Sequence, residues 1–227
     1  MNTDLFWATI KPGDVINSWP RKLPSWWNPM SWVERSIQGY QKRKWPHGEY
    51  RPTHTQLYLG GGEIFEITFP KARFTQLRLS NKICYTIHRY THGDFAFQPQ
   101  DIDLMRIAAK QLLGREYDYG QLLDILLKQL FPTFIRQKRR IFDFGKKRMV
   151  CSVGVHYCLL YWWKNWWRPE ALRTPKAVTP MAADFQTPDE QRLQVELPRP
   201  LGKQYVEVTA PADFSNGEPF QTVGSFL

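Results

Sequence analysis

The stretch "RPTHTQLYLGGGEIFE", residues 51–66, decides the fold. "HTQLYL" alternates polar and apolar side chains, the period of a half-buried strand. Gly60, Gly61 and Gly62 supply the positive φ of a tight turn. "EIFEITF" then returns as a second β-rich run, so residues 54–69 read as a β-hairpin. His54 opens the first strand, and Gln56 and Tyr58 share its face. Glu66 lies twelve residues after His54, and antiparallel pairing brings the two together within a register step. A carboxylate beside an imidazole fixes its tautomer and supports its positive form. Taken alone, the same pair fits a solvated histidine opposite a solvated glutamate.

Other segments extend this pattern on both sides. "KPGDVI" (11–16) reads as a turn and a short strand, and "SWPRKLPSWWNPMSW" (18–32) as irregular. "WVERSIQGYQKRK" (32–44) is a short helix, and "RFTQLRLS" (73–80) and "KICYTIHRY" (82–90) are further strands. The period then changes. "QPQDIDLMRIAAKQLLG" (98–114) carries Ile102, Met105, Ala109 and Leu112 at helical spacing, with Gly114 as a stop. "YDYGQLLDILLKQLF" (117–131) is a second helix, ended by Pro132. Residues 128–148 hold eight Lys or Arg and one acid, a basic insertion. A third helix starts near Cys151 and runs to about Trp167. Residues 169–227 hold eight prolines and short β-like pieces, the pattern of an extended tail. Strands followed by helices predict an α+β fold. The division is one domain over 1–185, with a Trp-rich insertion over about 17–50 and the basic one over about 128–148. A Pro-rich extended tail over 186–227 follows.

Composition bounds the function. The chain has 227 residues, with net charge +10 and a pI of about 9.6. That favours an anionic partner: nucleic acid, anionic lipid or an acidic wall polymer. Three cysteines, Cys84, Cys151 and Cys158, make no disulfide framework. The N-terminus lacks the basic and apolar regions of a cleaved signal peptide. The longest apolar run, 150–163, is shorter than the roughly 20 residues that span a bilayer. The expectation is a soluble protein, cytoplasmic as synthesised.

Cys151 lies in "RMVCSVGVHYC", residues 148–158. It has three readings: nucleophile, metal ligand or core filling. A helix N-terminus and the preceding basic residues lower a thiol's pKa, which suits a nucleophile. The metal reading would join Cys151, His156 and Cys158. On a helix, Cys158 lies about 10 Å along the axis from Cys151, and His156 points roughly 140° away. One tetrahedral ion cannot take all three. His156 and Cys158 are therefore expected in the core or at an interface.

Three motifs now stand in order: "PGDVI" (12–16), "THTQLYLGGGEIFE" (53–66) and the distant "VCSVGVHYC" (150–158). This order resembles the permuted NlpC-like papain-fold hydrolases, the clan of YiiX-type and lecithin:retinol acyltransferase-like proteins. Their pattern is Pro-Gly-Asp-hydrophobic, a His opening a strand, a polar residue twelve positions later, and the nucleophilic Cys last, at a helix start. "YDYG" (117–120) and "VTPMAADF" (178–185) resemble further segments of YiiX-type members. The resemblance covers roughly residues 8–185. It implies a permuted papain-like fold with the antiparallel sheet packed on helices. It implies Cys151 as nucleophile, His54 as base and Glu66 as the residue that orients it. Glu at the third position is typical of bacterial YiiX-like members and points to a bacterial or phage protein. Tyr119 and Gln56 are candidates for the oxyanion site or the cleft, and Asp14 reads as a turn residue. No cofactor and no metal are required.

The implied chemistry is acyl transfer through a thioester. The favoured function is a cysteine amidase or peptidase acting on cell-wall peptidoglycan, because a basic, Trp-rich surface suits an anionic glycan-peptide polymer. An alternative is a lipid-directed hydrolase or acyltransferase, with the aromatic basic segment 136–148 lying on an anionic membrane. Another is a docking component of an assembly such as a virion, with protein partners held by the Pro-rich tail and the Trp-rich segments. Specific nucleic-acid binding ranks last, since only the net charge supports it.

Overall fold

The computed structural model describes residues 2–22, 27, 29–91, 96–118, 148–165 and 210–226. Tyr119, the basic insertion up to residue 147, "VTPMAADF" and the expected helix over 117–131, beyond its first two residues, lie outside them. Helix α1 (Thr3–Thr9) precedes strand β1 (Val15–Pro20) and helix α2 (Pro29–Lys44). Strands β2 (His54–Gly60), β3 (Glu63–Ile67), β4 (Ala72–Gln76) and β5 (Ile83–Tyr90) follow, then helix α3 (Pro99–Leu112). Two short strands, β6 (Glu116–Tyr117) and β7 (Arg148–Met149), lead into helix α4 (Cys151–Asn165). Helix α5 (Pro211–Asn216) and strand β8 (Phe220–Phe226) close the described chain.

The α+β class expected from the sequence is present. Six strands form one sheet in the order β4-β3-β2-β1-β5-β8, and every neighbouring pair is antiparallel. The period of two sorts its side chains. Val15, Leu57, Leu59, Phe65 and Ile67 face helices α3 and α4. Ile16, Tyr58, Ile64, Tyr85 and Ile87 face the other way, and Phe6 of α1 packs on them.

Helix α4 lies against the first face, with Val155, Leu159, Leu160 and Trp162 fully buried. Each large apolar side chain so buried contributes about 1.5–3 kcal/mol before entropy is set against it. Asp101 joins the helices: it accepts from the backbone N–H of Gln98 at the start of α3 and from Trp162 Nε1 at 2.9 Å. Gly154 is the close-approach point. A Cβ there would overlap the Ile67 side chain, so glycine lets α4 settle onto β3. That approach brings the first residue of α4, Cys151, beside the start of β2.

The "PGD" turn works by its backbone and one carboxylate. Gly13 has φ +90°, and its N–H donates to the Tyr58 carbonyl at 2.8 Å. Asp14 is fully buried and accepts from Arg89 Nε and Nη2 at 2.9 and 2.7 Å, and from the Lys11 N–H at 2.8 Å. Asp14 is thus the turn residue that the sequence suggests, fastening β1 to β5.

Two expectations need correction. The Trp-rich insertion was placed over 17–50, but Val15–Pro20 is a central strand, so "NSWP" belongs to the sheet. Its polar Asn17 and Ser18 broke the alternation and hid the strand. Residues 186–227 were read as an extended tail, but α5 and β8 are part of the domain. β8 pairs antiparallel with β5 from Tyr85↔Phe226 to Tyr90↔Phe220. "FQTVGSF" is short and glycine-containing, and its partner lies 130 residues earlier, so local pattern could not place it.

Where α5 and β8 meet β5, His88 is 1% exposed. The hydroxyls of Thr86 and Ser215 sit 2.9 and 3.2 Å from its Nε2, and that of Thr222 sits 3.0 Å from Nδ1. Burial outweighs the attraction of the Glu49 carboxylate and pushes the imidazole down to about 4. The unfolded chain takes up this proton near 6.5, whereas the folded chain refuses it until about 4. Stability is therefore lost as pH falls between those values. Relative to His88→Gln, the wild type is expected to lose about 3 kcal/mol of unfolding free energy between pH 7 and pH 4. Urea denaturation at both pH values checks this; a constant difference would contradict it.

Candidate active site

The site begins with the register of the hairpin. Gln56 pairs with Glu66 across β2 and β3, and Glu66 pairs with Arg73 across β3 and β4. His54 is the diagonal neighbour of Glu66, within reach of a long side chain. The four side chains meet. The His54 Nε2–H donates to Glu66 Oε2 at 3.1 Å, and Gln56 Nε2 donates to the same oxygen at 3.0 Å. Arg73 donates to Glu66 Oε1 from Nε at 3.0 Å and from Nη2 at 2.8 Å. Glu66 is 5% exposed, so both of its oxygens are fixed in place.

Cys151 and His54 lie close enough for each to shift the other's titration, and the backbone N–H groups of Thr55 and Ser152 act on the sulfur in the same sense. With Nε2 committed to Glu66, Nδ1 is the ring nitrogen left to face the sulfur. The structure thus brings Cys151, His54 and Glu66 together. Gln56 belongs to the same group, but one N–H of its amide goes to Glu66, so it braces the carboxylate. Tyr119 lies outside the described residues.

Electrostatics follow from this contact. Burial pushes the Cys151 thiol up, but the imidazolium of His54 and the two backbone N–H groups outweigh it and hold the thiol below its ordinary value. Burial pushes His54 down, but the thiolate and the Glu66 carboxylate outweigh it and raise the imidazole to about 10. Burial pushes Glu66 up, yet His54, Arg73 and Gln56 bring it down to about 2. These shifts all favour a thiolate–imidazolium pair backed by a carboxylate. Cys158, seven residues on, is fully buried, and burial pushes its thiol up. It packs in the core, as expected. His156 is buried with its ring edge-on to Phe214. Among the described residues, no group of three or more His, Cys, Asp or Glu could hold a metal ion.

A cleft of about 590 Å³ opens on the sheet beside the site. Ser18, Trp19, Glu34, His54, Arg73 and Arg78 are among the residues that line it. The His54 side chain is 24% exposed there, whereas Cys151 is 3% exposed and is not part of that wall.

Arg73 was not singled out from the sequence, yet the signal was present. A tight turn after "EIFEI" folds residue 73 back onto residue 66, as counting along the hairpin would have shown. The Thr55 N–H left no trace in the sequence, because any residue but proline supplies it.

No family model matches the chain, and no curated protein matches it. Among solved structures, the chain is similar to the metalloprotein yiiX from Escherichia coli O157:H7, with a TM-score of 0.47 and 16% identity. The alignment covers 95% of this chain and 97% of that one. No helix among the described residues is long and apolar enough to cross a membrane.

The ion pair makes a kinetic prediction. Alkylation of Cys151 by iodoacetamide should stay fast at pH 6, where an ordinary thiol is more than 99% protonated, on the order of 10²-fold less reactive. His54→Ala should remove that advantage. Glu66→Gln should weaken it by about tenfold. The rates are read by intact-mass spectrometry against Cys151→Ser. Equal rates in wild type and His54→Ala at pH 6 would contradict the pairing.

Proposed function

We propose that the protein is a cysteine hydrolase that cleaves an amide bond through an acyl-enzyme, with bacterial cell-wall peptide as its substrate. One observation carries this reading: a buried thiol that starts a helix and interacts electrostatically with an imidazole held by a fixed carboxylate. A core cysteine needs none of these partners. The resemblance of the three motifs to permuted NlpC-like hydrolases supports the same assignment.

The chemistry balances without a cofactor. The Cys151 thiolate attacks the carbonyl carbon and a C–S bond forms. The carbonyl oxygen takes up the negative charge. The first N–H groups of α4 lack acceptors within the helix, and the N–H of Cys151 stabilises the oxyanion. The tetrahedral intermediate collapses, the C–N bond breaks, and His54 gives its proton to the leaving amine. A water then loses a proton to His54 and attacks the thioester. The acid is released and the thiolate returns. Glu66 keeps the ring aimed and supports its charge throughout, with Gln56 and Arg73 preventing its rotation.

The cleft favours a polar substrate. Arg73 and Arg78 on its wall suit the carboxylates of a wall peptide, and the net charge of +10 draws the chain towards an anionic polymer. The lipid reading rested on the basic segment 136–148, which lies outside the described residues except for Arg148.

Purified peptidoglycan should yield cleaved peptide stems with the wild type. With Cys151→Ala the yield should fall by about 10³-fold or more. Mass spectrometry of released fragments reads the result. Equal silence from both proteins would overturn the wall-peptide substrate, and equal cleavage would overturn the nucleophile.

A further inference from the structure

Helix α5 begins about 45 residues beyond the end of α4 in sequence, yet it is wired into the approach to the site. The link is Gln41 of α2, which is fully buried. Its Nε2 donates to the carbonyls of Tyr50 and Pro52 at 2.8 and 2.6 Å. Its Oε1 accepts from the N–H of Ala212, in α5, at 2.7 Å. One side-chain amide thus clamps the chain that leads into His54 and ties it to α5. Gln38, one turn earlier, donates to the carbonyl of Arg51 at 2.9 Å. Thr53 then donates its N–H to the Ser18 carbonyl at 3.0 Å, and the next residue is His54.

A second line runs from α5 to the sulfur. Asn17 Nδ2 donates to the Pro211 carbonyl at 2.7 Å. Its Oδ1 accepts from the Thr55 hydroxyl at 2.9 Å, and the backbone N–H of Thr55 is among the groups that favour the Cys151 thiolate. Residues 50–52 therefore depend on α5 through Gln41, and Thr55 depends on it through Asn17. His54 sits between these two anchors.

We infer that Gln41 is a positioning residue: it makes the placement of His54 against Cys151 conditional on α5 being docked. A buried amide with three partners is costly to disturb. The carbonyls of residues 50 and 52 fix where β2 starts. His54 must reach Glu66 on β3 and Cys151 on α4 at once, and a shift of about 1 Å breaks such an alignment. The inference rests on the thiolate–imidazolium pair proposed above, and it explains how the C-terminal residues contribute to a site that they do not touch.

Among the described residues, the charged groups facing His54 are Cys151 and Glu66, with Arg73 behind Glu66, and Glu34 of α2 and Arg78 line the same cleft. Gln41 carries no charge, so it acts by position. Gln41→Glu is the informative variant. It keeps an oxygen for the Ala212 N–H but turns the donor towards Tyr50 and Pro52 into an acceptor. Its iodoacetamide rate at pH 6 should fall about tenfold, as the lower limb of the profile moves up by about one pH unit. At pH 9.5 the rate should match wild type within about twofold, because the thiolate there needs little help. Lys44→Met is the control. It removes the 2.8 Å ion pair with Asp213 but leaves α5 docked through Gln41, Asn17 and Trp45, and residues 50–52 clamped. Its melting temperature should fall while its alkylation profile stays that of wild type. Should Gln41→Glu fail to fold, Gln38→Leu is the milder lesion in the same loop, with an expected loss of about threefold at pH 6. A wild-type profile in the Gln41 and Gln38 variants would overturn the inference, as would an equal shift in Lys44→Met. A wild type with the profile of an ordinary thiol would instead overturn the ion pair itself, and the positioning role with it.

Discussion

A carboxylate taken out of water must have both oxygens satisfied, and the site is organised around meeting that demand for Glu66. One oxygen receives His54 and Gln56, and the other receives two N–H groups of Arg73. These partners come from β2 and β4, on either side of β3, so the carboxylate can be held only while three strands keep their register. A slip of one residue would turn Glu66 to the helix-packed face and leave a buried charge without partners. The sheet register and the orientation of the imidazole are therefore one constraint. Arg73 also balances the carboxylate, whose negative charge is shared between a cation in the cleft wall and the imidazolium.

The thiol reaches this frame from the opposite face of the sheet. Helix α4 is apolar over most of its length, and its burial against Phe65, Ile67 and α3 sets its position. Gly154 decides how close it comes. Packing energy from Leu159, Leu160 and Trp162, far from the chemistry, is what delivers Cys151 to His54. Removing one such side chain typically costs about 2–5 kcal/mol. The nucleophile thus depends on core packing, whereas the base and its orienting acid depend on sheet register.

Much of the site was legible because its spacing is local. His54, Gln56 and Glu66 share one hairpin, and the glycines at 60–62 fixed its turn. Cys151 could be placed at a helix start because an apolar run begins there. Their meeting was not derivable from spacing, since α4 and β2 lie almost a hundred residues apart. It came from the order of three motifs and from the resemblance that this order carries. What escaped the reading depends on long-range pairing. Asn17 and Ser18 made a central strand look irregular; the Asn17 side chain is satisfied by Thr55, Ser215 and the Pro211 carbonyl rather than by water. β8 looked like tail because its partner strand is remote. α1 was not foreseen, though Asn2 accepts from the Leu5 N–H as a helix cap does and Phe6 is fully buried.

The central claim is that His54 is an imidazolium because Cys151 is a thiolate and Glu66 a carboxylate. The direct measurement is a ¹⁵N NMR titration of the His54 ring in wild type and Cys151→Ser. In wild type both ring nitrogens should remain protonated at pH 8, with deprotonation approaching pH 10. In Cys151→Ser the transition should drop by several units. A neutral ring at pH 8 in the wild type, titrating near the ordinary 6.5, would contradict the ion pair and leave Cys151 a core residue.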